Sequence, residues 1–193
     1  MQPPLVLASA SPRRLDLLRQ IGCEPAKIDP ADVDESPRRG ELPRGYALRM
    51  ARAKLDVVAA RHPDAVVLAA DSVVAVGRRI LPKAEDESTA RDCLALLSGR
   101  RHKVLGGVAV AAAGRVRIRL VETAVRFKRL EAAEIDAYVR SDEWHGKAGG
   151  YAIQGRAAAF VSFLSGSYSN VVGLPLFEAA ALLRSAGFPM GTS

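Results

Sequence analysis

Arg13 and Arg14 follow Ser11-Pro12 directly, at the head of an amphipathic stretch. Serine is a favoured helix N-cap, and proline is favoured at the next position, where its missing N–H is not needed. Cations are unfavourable there, because a helix N-terminus already carries partial positive charge. Two arginines beside free backbone N–H groups therefore point to an anion, and phosphate suits the guanidinium fork. The same pattern also describes a capped surface helix with two solvated arginines. Two carboxylates could complement an anion site. Asp71 closes the apolar run 65–70 and precedes Ser72. A carboxylate at the end of a buried strand is partly desolvated, as active-site acids often are, although an Asp that caps a turn has the same pattern. Glu35 lies in the acidic loop Asp32-Val33-Asp34-Glu35. One of these loop carboxylates could join Asp71 around a divalent cation, since Mg²⁺ prefers oxygen ligands and bridges phosphates. A solvated loop charge is the plainer alternative for Glu35. Lys54 interrupts the apolar side of its helix and Lys83 follows Pro82. Each alone is equally an ordinary surface lysine. The glycines of 146–155 let backbone approach a ligand closely, and Gln154 offers an amide able to read a base edge. His62, His102 and His145 lack triad or metal spacing and are taken as structural.

The elements that must position these groups alternate along the chain without repeats. A short strand at 5–7 leads into the Ser11 helix, whose Leu15, Leu18 and Ile21 share one face before Gly22 stops it. A strand over 26–28, a polar loop over 29–43 and a helix over 43–61 follow, with Leu48, Ala51, Leu55 and Val58 directed inward. The run 65–70 is a central strand ending at Asp71. Residues 73–76 and 80–81 form a hairpin around the turn 77–79. Asp86 caps a helix that ends at Gly99. Segments 104–113 and 116–127 make a long hairpin about Gly114. A helix over 131–141, the Gly-rich loop, a strand over 158–164, a polar connection at 166–170 and a helix over 175–186 complete the chain. The result is a mixed α/β sheet flanked by helices, in one domain over 1–193. The antiparallel central hairpin argues against a doubly wound topology.

Bulk composition narrows the function classes. The chain has 193 residues and carries a formal charge of +7, but 22 of its 28 basic residues are arginine, scattered in pairs with few interleaved aromatics. Nucleic acid is therefore not expected as the main partner, and an anionic small molecule fits the charge equally well. Cys23 and Cys93 lack zinc-like spacing and suit a reducing compartment. With no signal peptide evident and the longest apolar stretch, 107–114, too short for a bilayer, the expectation is a cytoplasmic protein without a membrane partner.

Five stretches in order resemble one family. Ser9-Ala10-Ser11-Pro12-Arg13-Arg14, Ala70-Asp71-Ser72, Leu96-Leu97-Ser98-Gly99, Lys147-Ala148-Gly149-Gly150-Tyr151-Ala152-Ile153-Gln154-Gly155 and the run from Gly166 to Leu176 are similar to the Maf family of nucleotide pyrophosphatases. The resemblance implies a fold like that of inosine triphosphate pyrophosphatases, an elongated twisted mixed sheet with a cleft between two lobes. It implies hydrolysis of a nucleoside triphosphate to monophosphate and pyrophosphate with Mg²⁺ or Mn²⁺ held by Asp71 and Glu35. Asp71 takes the role of proton acceptor, with Glu35, Lys54 and Lys83 as its catalytic partners. Ser9, Arg13, Arg14, Ser72 and Gln154 fall to the substrate, and the Gln-Gly signature points to dTTP and UTP. In that assignment Arg13 faces substrate beside Ser72 and Gln154, while Arg14 supports the loop. The family also implies a homodimer, and two alternatives: a pyrophosphatase for another nucleotide such as 7-methyl-GTP, or a nucleotide-binding regulator of septum formation. Three positions depart from the family pattern. Ser72 replaces a usual threonine, Pro82-Lys83-Ala84 replaces a Lys-Pro, and Gly106-Gly107 replaces Thr-Gly, with a looser cleft floor expected.

Overall fold

In the computed structural model, which describes residues 3–190, one sheet in the order β2-β1-β3-β6-β7-β9 organises the chain. The expected domain of 1–193 thus includes 1–2 and 191–193, which lie outside the described residues. The strands are β1 (Leu5–Leu7), β2 (Lys27–Ile28), β3 (Val66–Val76), β6 (Arg101–Ala112), β7 (Arg115–Phe127) and β9 (Val161–Ser165). β1 pairs in parallel with β2 and β3, and the remaining pairs are antiparallel, so the sheet is mixed as expected. β4 (Arg79–Ile80) returns on β3, and β5 (Lys83–Ala84) pairs separately with β8 (Lys147–Ala148). No helix among the described residues is long and apolar enough to cross a membrane.

The strict alternation of side chains in β3 divides the core in two. Val67, Ala69, Val73 and Ala75 pack toward α2 (Pro43–Arg61), against Tyr46, Ala47, Met50, Ala51, Leu55 and Val58. Leu48, expected inward, is only partly buried. Val66, Leu68, Ala70 and Val74 face the larger core. That core also takes α1 (Pro12–Gln20), α3 (Glu87–Leu97), α4 (Ala132–Val139) and α6 (Leu176–Ser185).

Three sequence expectations change. β3 does not end at Asp71 but runs through it to Val76, because β6 pairs with it residue by residue, Asp71 opposite Gly107 and Ser72 opposite Gly106. A polar pair cannot end a strand whose neighbour supplies the ladder. The strand expected over 158–164 begins only at Val161, after a 3₁₀ turn at Arg156–Phe160. The connection at 166–170 is a short helix, α5 (Tyr168–Val172), whose N–H of Asn170 is capped by the Ser167 hydroxyl.

Candidate active site

The other edge of β3 explains why Asp71 and Ser72 face a cleft. β1 accompanies β3 only as far as Leu68, whose carbonyl accepts the Ala8 N–H. Pairing on that edge resumes at Val74, which accepts from Leu81. Between these two points β3 has no strand paired on this edge, and the sheet opens. A cavity of about 250 Å³ fills the gap, walled by the Ala8–Ser11 turn, the start of α1, Glu35, Lys54, Asp71, Ser72, Lys83, Lys147 and Gly173.

Alternation sends the two polar residues opposite ways. Asp71 points to the α2 side, where Lys54 Nζ donates to its Oδ1 at 2.6 Å. Both are buried, at 5% and 7% exposure. A buried lysine is tolerated here because the same Nζ also lies 2.7 Å from Glu35 Oε1. Glu35 Oε2 in turn accepts from Lys83 Nζ. The loop that carries Glu35 is tied to α2 by Tyr46, whose hydroxyl donates to the Glu35 carbonyl at 2.6 Å. Burial pushes the Glu35 carboxyl up, but hydrogen bonds and charge from Lys54 and Lys83 outweigh it and hold the group down at about 2. Four residues distant in sequence thus form one chain of alternating charge.

Ser72 points to the other side and donates to the Gly173 carbonyl at 3.3 Å. Here the two arginines differ in their contacts. It is Arg14, not Arg13, that stands beside Ser72: its Nη2 is 3.4 Å from Ser72 Oγ, its Nε donates to Gly173 and its Nη1 to Ser9 Oγ at 2.9 Å. Successive helical residues differ by about 100° in direction, and α1 turns its third position into the floor. Arg13 also lines the cavity, and burial followed by the charge of Arg14 lowers its pKa. Burial likewise lowers Arg14, against the raising influence of Asp71 and Glu35. The Ser11 hydroxyl does not cap α1. Instead the Ser11 N–H donates to Ser9 Oγ, and the first turn contains no acidic residue.

Gln154 is not brought to the cavity. It is exposed, because Tyr151, Ala152 and Ile153 are drawn into the core and the chain then turns into the 3₁₀ segment. The Gly-rich stretch instead contributes Lys147, Ala148 and Tyr151. Gly149 and Gly150 both have left-handed φ, +69° and +67°, and a Cβ on Gly149 would lie 2.8 Å from Val74. The loop therefore crosses β3 at a distance only glycine permits. Lys147 was not singled out in the sequence, and burial followed by Arg13 lowers its pKa. The signal that finds it is register, since β8 sets Lys147 and Ala148 against Ala84 and Lys83. His102 is structural, as expected. It is buried, its Nε2 is 2.8 Å from the Tyr151 hydroxyl, and burial pulls its pKa down to about 4.

The floor is tight rather than loose at Gly106-Gly107. A Cβ on Gly106 would meet Asn170 Oδ1 at 1.9 Å, and one on Gly107 would meet the Ala47 carbonyl at 2.3 Å. Asn170 uses the space to donate to Val104 O and Thr123 Oγ1.

A cavity with five cationic side chains, two carboxylates and a helix start suits a polyphosphate. Comparison with known proteins points the same way. A family model described as Maf-like protein matches residues 4–186. A Rhodospirillum rubrum protein named dTTP/UTP pyrophosphatase is 66% identical, over 97% of this chain and 90% of the relative. Relatives with the same name from Paramagnetospirillum magneticum and Caulobacter vibrioides are 65% and 63% identical, over 95% and 96% of this chain and 97% of each relative.

Proposed function

The chain belongs to the Maf family, and from that membership and the cleft geometry we propose that it hydrolyses dTTP and UTP to the nucleoside monophosphate and pyrophosphate. The observation that carries the proposal is the arrangement of the cleft. A carboxylate–lysine chain, Asp71–Lys54–Glu35–Lys83, lies on one side, and Arg13, Arg14 and the start of α1 lie on the other. Hydrolysis at the α-phosphorus needs a water stripped of its proton and charge stabilisation for the departing pyrophosphate. Asp71 is the proton acceptor, and Lys54 holds it in place until phosphates bind. Arg13, Arg14 and the α1 start hold the leaving group, where guanidinium pairs bidentately with phosphate oxygens. Lys54 and Lys83 bind the chain of phosphates between them.

The residues present suit a divalent cation, Mg²⁺ or Mn²⁺, because Asp71 and Glu35 already converge on a single positive charge, the Lys54 ammonium. When bound there, such an ion supplies charge neutralisation and a more acidic water. Base selection is assigned to groups that line the cleft, Arg13 and Ser72. Gln154, exposed in this structure, would have to turn inward to join them. The relatives' printed names support dTTP and UTP as the substrates.

The test is pyrophosphate release from a nucleotide panel (dTTP, UTP, CTP, ATP, GTP and 7-methyl-GTP) with and without Mg²⁺ or Mn²⁺. The proposal expects dTTP and UTP to be fastest, with turnover dependent on the metal. Faster turnover of 7-methyl-GTP would overturn the base assignment, and no turnover on any nucleotide would overturn the reaction.

A further inference from the structure

We propose that in the free enzyme the Lys54 ammonium fills the place of the divalent cation, so that metal enters only as nucleotide phosphates draw the lysines away. The inference rests on the reading of Asp71 and Glu35 as the metal-holding pair. Three observations carry it. Lys54 Nζ lies 2.6 Å from Asp71 Oδ1 and 2.7 Å from Glu35 Oε1, so the point where both carboxylates converge already holds a cation. The second oxygen of Glu35 pairs with Lys83, so a metal approaching this carboxylate meets an ammonium at each oxygen. Lys54 and Asp71 are buried, and the ammonium cannot swing into bulk water while it pairs both acids.

Charge decides what displaces it. The cavity holds Arg13, Arg14, Lys54, Lys83 and Lys147 against Glu35 and Asp71, a net +3 before any ligand arrives. A divalent cation entering alone meets that excess and competes with an ammonium already in contact with both acids. A triphosphate reverses the balance and offers Lys54 and Lys83 new anionic partners within the same cavity. The free carboxylates then face one another and need a cation. Phosphate and metal binding thereby become thermodynamically coupled through one side chain, and each ligand must strengthen the other by the same factor.

The test measures Mn²⁺ binding without nucleotide, by electron paramagnetic resonance of free Mn²⁺, for the wild type, K54M and the double variant K54M/D71N. Circular dichroism and thermal melting establish that each is folded. K54Q, whose amide can still hydrogen-bond both carboxylates, replaces K54M if that protein does not fold. The expected result is Mn²⁺ binding at least about tenfold tighter in K54M than in the wild type, lost again in K54M/D71N. Equal affinity in wild type and K54M, lost with D71N, overturns the displacement and leaves the metal site standing. Binding as tight in K54M/D71N as in K54M removes the metal site and the proposal with it.

Discussion

At Asp71 the sequence shows a polar break in an apolar run, and the structure shows what the break means: one carboxylate aimed at a buried lysine from α2. Asp71 and Lys54 stood out because an acid and a lysine inside apolar patterns need partners, whereas Glu35, on a polar loop, and Lys83, after a hairpin, joined them only through the resemblance to the Maf family. Which arginine met Ser72 was not legible, since a step of one residue rotates a side chain by about 100° and nothing local names the side. Gln154 illustrates the converse, a motif residue that the core-seeking Tyr151-Ala152-Ile153 carries away from the cleft. Glu35 yields a pH prediction with a definite sign. Its folded pKa of about 2 lies below the ordinary glutamate value of 4.5. Its ion pairs therefore stabilise the fold fully above about pH 4.5, and that contribution is lost as pH falls through about 2. Thermal melts of wild type and Glu35→Gln should differ most above pH 4.5 and converge toward pH 2. A difference that grows on acidification contradicts the pairing.

Helix α2 and the β3–β6 pair do the positioning at the next scale up. Lys54 reaches Asp71 because α2 lies close on the sheet, and it lies close because Gly107, opposite Asp71 in register, has no side chain beneath the Ala47 carbonyl. Overpacking of this kind costs about 1–3 kcal/mol when the neighbour is backbone. Gly107→Ala should lower stability on that scale and lower turnover further, since the shifted helix carries Lys54 with it. Chemical denaturation and steady-state kinetics on the same preparation check both. Unchanged activity with lowered stability would show that the helix spacing does not set the site. Of the elements, the long hairpin and both flanking helices were legible from period and caps. The continuity of β3 was not, because strand ends depend on neighbours. The opening beside Asp71 arises where β1 stops at Leu7, opposite Leu68, and β4 ends at Ile80, opposite Ala75, a tertiary event that no local pattern encodes.

For the whole molecule, a formal charge of +7 spread over 28 basic residues is uninformative until the fold gathers five of those side chains around one gap in a mixed sheet. The fold class follows from the order of elements, and the cleft from where their pairings end. One proposed assignment is central: Asp71 activates water against the α-phosphorus while the arginine side retains pyrophosphate. Hydrolysis of UTP in ¹⁸O-labelled water, with mass analysis of both products for wild type and Asp71→Asn, tests that directly. Attack at the α-phosphorus places label in the monophosphate alone, with the rate of Asp71→Asn reduced by roughly 10²–10⁴ and its melting curve cooperative. Label in the pyrophosphate, or a rate unchanged in Asp71→Asn, would contradict it.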